Sequence, residues 1–183
     1  SPFAWRVQLA LEAKGLAYTS RQLQASKGEH KAPAFLAINP RGKVPALKDG
    51  DTVVYESVAI MAYLERRYPA PPLFGRDAVE AANIWRQVCE VTSYLEGPAA
   101  RVYRPIFFGR VAEEADDIRA AIAEVHGEFA RLESEIGGDP WLAGGKVSAA
   151  DFALYPFPKG LLRAAGKAEA APLALGLLPF AGR

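Results

Sequence analysis

The sequence predicts a small mixed α/β unit followed by an all-helical unit. Short apolar runs flank the turn triplet Asp49-Gly50-Asp51 early in the chain, and no strand pattern follows Gly75. Pro69, Pro71 and Pro72 lie between the two regions and read as a stiff linker. The division falls at residues 1–70 and 76–183.

Each element has a local reason. Phe3, Val7, Ala10 and Leu11 share one helical face, and Gly15 after Lys14 is a stop signal. Residues 16–23 form a short extended stretch, and 33–38 suit one or two helical turns. Residues 43–48 and 52–55 read as two strands of a hairpin around Gly50. Ser57 opens a helix through Ile60, Met61, Leu64 and Tyr68, which the prolines end. Further on, 78–97 is helical with Trp85, Val88 and Leu95 on one face, and it continues past a kink near Pro98 to about Phe108. Ile118, Ile122, Val125, Phe129, Leu132 and Ile136 step by four and three, the pattern of an amphipathic helix stopped by Gly137-Gly138. Ser148 and Asp151 form a capping-box pattern, with Val147 and Phe152 placed as its hydrophobic staple, opening a run to about Pro156.

Composition removes whole classes of function. Of 183 residues, 22 are Lys or Arg and 21 Asp or Glu, so there is no basic surplus for a nucleic-acid duplex. Mean hydropathy is −0.01, and no apolar run approaches the roughly 18 residues that span a bilayer. No signal-peptide pattern opens the sequence, and a cytoplasmic location is expected. The single cysteine, Cys89, cannot supply an internal disulfide framework or a multi-thiolate zinc site, and two histidines make a poor metal centre. No metal is expected. Phosphate-loop, dinucleotide, hydrolase-elbow and zincin motifs are all missing. Cys89 reads as a packed small residue and His126 as a solvated one. A two-stranded hairpin alone is not stable, so the first unit calls for more sheet. The chain begins at Ser1 without a methionine and ends on 177–183 without a helical pattern, so a preceding strand and a following segment are expected.

The segments SPFAWRVQLALEAKG, INPRGKVPALKDGDTVVYESVAIMAYLERRYP and KVSAADFALYP resemble the glutathione S-transferase family, in its bacterial-type members with a serine active-site loop. The most specific part is the ordered set Asn39-Pro40, Lys43-Val44-Pro45 and Glu56-Ser57. The resemblance implies a thioredoxin-like α/β domain followed by an all-α domain. Class features are mixed. Gly28-Glu29-His30-Lys31 ahead of Asn39-Pro40 resembles theta and delta members, while Trp5-Arg6-Val7 resembles zeta and tau members.

The resemblance also implies roles. Ser1, otherwise an N-cap, would donate to the glutathione thiolate at a helix N-terminus, which favours negative sulfur. A cis bond before Pro45, in place of the commoner trans form, would aim the Val44 N–H and C=O at the cysteinyl backbone. Ser57 and the helix N–H groups behind it would take the γ-glutamyl carboxylate, and Glu56 the ammonium. Lys43, and after it His30, would take the glycyl carboxylate. Phe3, Tyr103, Phe107 and Phe108 either line an apolar second-substrate pocket or are ordinary core aromatics.

The implied activity is transfer of glutathione thiolate to a hydrophobic electrophile, in detoxification, with glutathione as co-substrate and no other cofactor. A maleylacetoacetate isomerase-like enzyme is the alternative, although Ser1-Pro2-Phe3 lacks the cysteine of that group's loop. A non-catalytic binding or assembly module on the same fold is another. A homodimer is expected, covering apolar positions such as Met61 and Trp85; no nucleic-acid or membrane partner is expected.

Overall fold

In the computed structural model, which describes residues 1–173, Ser1 caps a helix α1 (Pro2–Ala13). Pro2 suits the first helical position, where its missing N–H costs nothing. The helix ends at Gly15, whose φ of +63° lets the Leu16 N–H donate back to the Leu11 carbonyl at 3.0 Å. A short helix α2 (Pro33–Leu36) follows two 3₁₀ turns. Strands β1 (Ala46–Asp49) and β2 (Thr52–Tyr55) pair antiparallel, with Ala46 opposite Tyr55 and Asp49 opposite Thr52. The two-residue loop relies on Gly50 at φ +59°. Helix α3 (Ser57–Arg67) packs on α1 and on both strands. Val7, Ala10, Leu11, Ile60, Met61 and Leu64 are buried in this unit, which spans Ser1–Phe74. Each large aliphatic contributes about 1.5–3 kcal/mol.

The second unit begins at Gly75. Helix α4 (Ala78–Glu90) is capped by Asp77, whose carboxylate accepts the Val79 and Glu80 N–H groups at 2.9 Å. A π-helical turn, Val91–Leu95, leads into α5 (Glu96–Phe108). Then come α6 (Ala115–Ile136), α7 (Ala149–Leu154) and α8 (Pro156–Ala165). Helix α5 packs on α6 and α8, and α4 on α7, around Val88, Leu95, Val102, Ile118, Val125, Phe157 and Leu161. The capping box is complete: the Ser148 N–H donates to Asp151 Oδ2 at 2.8 Å, and Ser148 Oγ accepts the Ala150 N–H at 3.3 Å. Asp151 also accepts the Leu142 N–H at 2.9 Å, which ties the preceding loop to α7. Burial raises the Asp151 carboxyl above its ordinary range.

Several local expectations are corrected. Residues 16–23 form no strand; nothing among the described residues pairs with them, and most are exposed. Strand β1 starts at Ala46, because Pro45 has no N–H for a ladder. The helical irregularity lies at the π turn. Pro98 sits in the first turn of α5, where a proline is tolerated. The buried row of α4 is Ile84, Gln87 and Val88, so Trp85 is 37% exposed and Cys89 lies on the exposed side. Met61 is fully buried within its own unit and needs no cover from another surface. Helix α8 lies beyond the expected run to about Pro156, and its Pro156 and Pro158 fall in the first turn, where proline is tolerated. The sequence expectation for 177–183 falls outside the described residues.

Candidate functional site

Two polar ties set the geometry of the first unit. Arg6 Nη1 in α1 donates to Ser57 Oγ at the start of α3, at 3.4 Å. Lys14 Nζ, just past the end of α1, donates to Glu65 Oε2 near the end of α3, at 2.7 Å. Both ties span 51 residues, so the two helices run parallel. Their N-termini therefore lie at the same end of the pair. Five residues at about 1.5 Å rise put Ser1 roughly 7 Å further out along the axis than the level of Arg6. An extended dipeptide covers that span. One end of the pair thus carries an exposed serine and two positive helix-dipole ends.

The start of α3 presents backbone donors that the helix itself does not use. Glu56 is a non-glycine residue at φ +70°, a backbone cost on the order of 1–3 kcal/mol. It turns the chain out of β2 and leaves its own carboxylate exposed. The Ile60 N–H donates to the Glu56 carbonyl at 2.9 Å, so the N–H groups of Ser57, Val58 and Ala59 precede the helical ladder. Ser57 itself is buried, 5% exposed.

The Val44–Pro45 peptide is cis. Because Ala46 pairs with Tyr55, this bond lies at the strand ends that lead to Glu56 and Ser57. Among the described residues, the Val44 N–H and C=O take part in no hydrogen bond, and Val44 is 38% exposed. Lys43 is exposed on a turn organised by Asn39. Asn39 is 1% exposed; its Nδ2 donates to the Lys43 carbonyl at 2.7 Å, and its Oδ1 accepts the Arg41 N–H at 3.1 Å. Gly42 is obligatory there: φ is +59°, and a Cβ would come within 2.8 Å of the His30 carbonyl. The His30 turn is thereby packed against the Lys43 turn, and His30 Nδ1 is buried without a hydrogen-bond partner.

The residues proposed for the second substrate are divided between units. Phe3 is half-buried in the first, with the Arg6 guanidinium 5.5 Å from its ring centre. In the second, Tyr103 is buried, while Phe107 and Phe108 are 38% and 71% exposed. Arg163 lies 5.8 Å over the Phe107 ring. Among the described residues, no group of three or more His, Cys, Asp or Glu could hold a metal ion. Sequence reasoning missed two residues, Arg6 and Asn39. The apolar spacing of α1 hints at the first, since residue 6 falls beside the Phe3, Val7, Ala10 face; Asn39 had a signal in its place before Pro40 and the Gly42 turn.

The family model "Glutathione S-transferase, N-terminal domain" matches residues 1–67, and "Glutathione S-transferase, C-terminal domain" matches 112–165. Glutathione S-transferase F9 of Arabidopsis thaliana is 34% identical over 170 residues, covering 89% of this chain and 78% of that protein. Maleylacetoacetate isomerase of Pseudomonas aeruginosa is 34% identical over 160 residues, covering 85% and 75%. A solved glutathione S-transferase from the Antarctic clam Laternula elliptica superposes with a TM-score of 0.73 at 30% identity, covering 86% and 72%. The chain belongs to the glutathione S-transferase family.

Proposed function

We propose that this member of the family is a glutathione transferase that conjugates the glutathione thiolate to hydrophobic electrophiles. The observation that carries the reading is the parallel α1/α3 pair. It sets Ser1 and Ser57 at one end, offset by about 7 Å along the helix axis, while the Val44 backbone groups lie at the adjoining strand ends. The γ-glutamyl carboxylate takes the N–H groups at the start of α3, and Glu56 takes the ammonium. The cysteinyl backbone pairs with Val44 beside Pro45. Lys43 takes the glycyl carboxylate, with His30 behind it. Ser1 donates to the sulfur and, with the α1 dipole, favours the thiolate; the thiol proton passes to solvent. The thiolate then adds to an activated double bond, or displaces a halide from an aromatic ring. The reaction uses glutathione as co-substrate and no further cofactor.

Phe3, two residues from Ser1 in the first unit, is proposed to meet the electrophile. A second reading, a glutathione-dependent isomerase acting on an anionic diketo acid, is favoured by one observation. The chain is 34% identical over 160 residues to a maleylacetoacetate isomerase. A homodimer in the cytoplasm with a detoxification role completes the proposal; the 37% exposed Trp85 is the apolar position a partner copy would cover. No described helix is long and apolar enough to cross a membrane. Retention on immobilised glutathione, followed by an electrophile screen and light scattering, tests the set. Turnover of a generic aromatic halide supports the transferase. Cis–trans isomerisation without conjugation supports the isomerase. Retention with neither leaves a binding module, and failure to bind glutathione rejects all three.

A further inference from the structure

Four backbone groups of the segment between α3 and the end of the first unit converge on one ion pair. The Tyr68 and Pro71 carbonyls accept from Lys14 Nζ at 2.7 and 2.8 Å, and the Leu73 and Phe74 N–H groups donate to the Glu65 carboxylate at 3.0 and 3.1 Å. An ammonium has three protons, and the third Lys14 proton goes to Glu65 Oε2 at 2.7 Å. Pro69, Pro71 and Pro72 bring no N–H, and the segment belongs to none of the helices or strands among the described residues. Its conformation is therefore set by two side chains rather than by a ladder of its own. Those side chains also depend on each other. Glu65 stands in the last turn of α3, where the helix dipole disfavours a carboxylate. It keeps 15% side-chain exposure, so without Lys14 its carboxylate has water to turn to.

We infer that the Lys14–Glu65 pair is a latch for the chain's exit from the first unit: residues 68–74 open and close as one body with the pair, while α1 and α3 stay together. The apolar residues that join those helices, Val7, Ala10, Leu11, Ile60, Met61 and Leu64, take no part in the latch. The Lys14 ammonium bonds to the carboxylate and to two carbonyls, not to the Leu73 or Phe74 N–H. By holding the carboxylate in place it nevertheless keeps both N–H groups bonded. An opening of this kind is local and takes less free energy than global unfolding. None of these groups is assigned to glutathione, so the latch stands apart from that reading.

Amide hydrogen exchange of the whole chain, followed residue by residue by NMR, tests this. In the native protein the Leu73 and Phe74 amides are expected to share one opening free energy and one denaturant slope, both well below those of Ala10 in α1 and Met61 in α3. Unlike values at the two amides, or values equal to those of the helices, overturn the latch. Lys14→Met removes the ammonium and leaves both N–H groups and Glu65 in the chain. If the pair must break for the segment to open, this change raises only the closed state, and exchange at Leu73 and Phe74 speeds up together. The expected factor is about tenfold or more, the range of a charge-assisted hydrogen bond. If the segment opens with the pair intact, closed and open states are raised alike. Exchange at Ala10 and Met61 then speeds up while Leu73 and Phe74 keep their native rates, and the latch is overturned. Should Lys14→Met lose its thermal transition, Glu65→Gln carries the test, since it keeps an amide oxygen for the two N–H groups and removes the charge that holds Lys14. The same joint acceleration is expected of it, and native rates at Leu73 and Phe74 in Glu65→Gln overturn the latch.

Discussion

The tie between Lys14 and Glu65 is the most consequential polar contact of the first unit, and replacing Glu65 by Gln should expose its worth. The Lys14 side chain is fully buried; its ammonium donates to Glu65 Oε2 at 2.7 Å, to the Tyr68 carbonyl at 2.7 Å and to the Pro71 carbonyl at 2.8 Å. The Glu65 carboxylate also accepts the Leu73 N–H at 3.0 Å and the Phe74 N–H at 3.1 Å. At 2.7 Å and an effective dielectric of about 20, the pair attracts with about 6 kcal/mol. Desolvation offsets part of this, and losing one partner of a buried pair costs about 3–5 kcal/mol. Glu65 keeps 15% side-chain exposure, so the lower figure, about 3 kcal/mol, is expected. For a chain of this length that corresponds to a Tm fall of about 6–12 °C. Urea unfolding in a Trp85→Phe, Trp141→Phe background leaves Trp5 as the sole tryptophan, reporting on the unit in question. Lys14→Met, Glu65→Met and the double variant complete the cycle, with an expected coupling of about 2 kcal/mol. Additivity within about 0.5 kcal/mol would refute the view that the two charges act as one tie.

Ser1→Ala is expected to leave glutathione affinity within a few fold, to move the pH–rate profile to higher pH, and to cut turnover near neutral pH by about ten- to a thousand-fold. An unshifted profile at native rate assigns thiol activation to another group. Lys43→Ala should weaken glutathione by about tenfold or more, and His30→Ala by less; calorimetry that reverses this order moves the glycyl carboxylate to the His30 turn. Asp49 accepts the hydroxyls of Tyr68 and Tyr63 at 2.8 and 2.9 Å, and these bonds hold its carboxyl below the ordinary range. Its stabilising share is therefore complete above the unfolded pKa of about 3.9 and is lost as pH falls through the lower, folded value. Asp49→Asn should flatten the acid limb of stability against pH, read by urea midpoints between about pH 2 and 5; an unchanged limb assigns the acid sensitivity to other carboxylates.

What the sequence disclosed was whatever is written in neighbouring residues. The face of α1, the Gly50 hairpin, the spacing of α6 and the Ser148–Asp151 box each need only a few positions to be recognised, and each formed with nearly the expected bounds. Helix phase was harder to read. The buried row of α4 is Ile84, Gln87 and Val88, one position away from the row expected through Trp85, so Trp85 and Cys89 came out on the exposed side. Strand status at 16–23 depends on a neighbouring strand, and local alternation carries no information about that. Helix α8 went unread; it opens on Pro156, a residue suited to a first helical turn. For the site, the motif residues Lys43, Val44, Pro45, Glu56 and Ser57 were found through a resemblance. Arg6 entered only within the Trp5-Arg6-Val7 class feature, and the serine it contacts lies 51 residues away.

That long-range pairing bears on how the site keeps its shape. The apolar contacts between α1 and α3 involve Val7, Ala10, Leu11, Ile60, Met61 and Leu64, and burial of this kind is non-directional. Aliphatic faces alone would tolerate small changes of register. The two polar ties do not. Arg6–Ser57 and Lys14–Glu65 lie eight residues apart, about 12 Å along the helix axis. Sliding α1 by one turn, about 5.4 Å, would break both and leave the buried Lys14 without its carboxylate, at a cost of about 3–5 kcal/mol. The same slide would move Ser1 by that distance relative to Ser57, more than any hydrogen bond can follow. Apolar burial thus holds the helices together, while the buried charges fix the alignment that sets Ser1 of α1 against the start of α3.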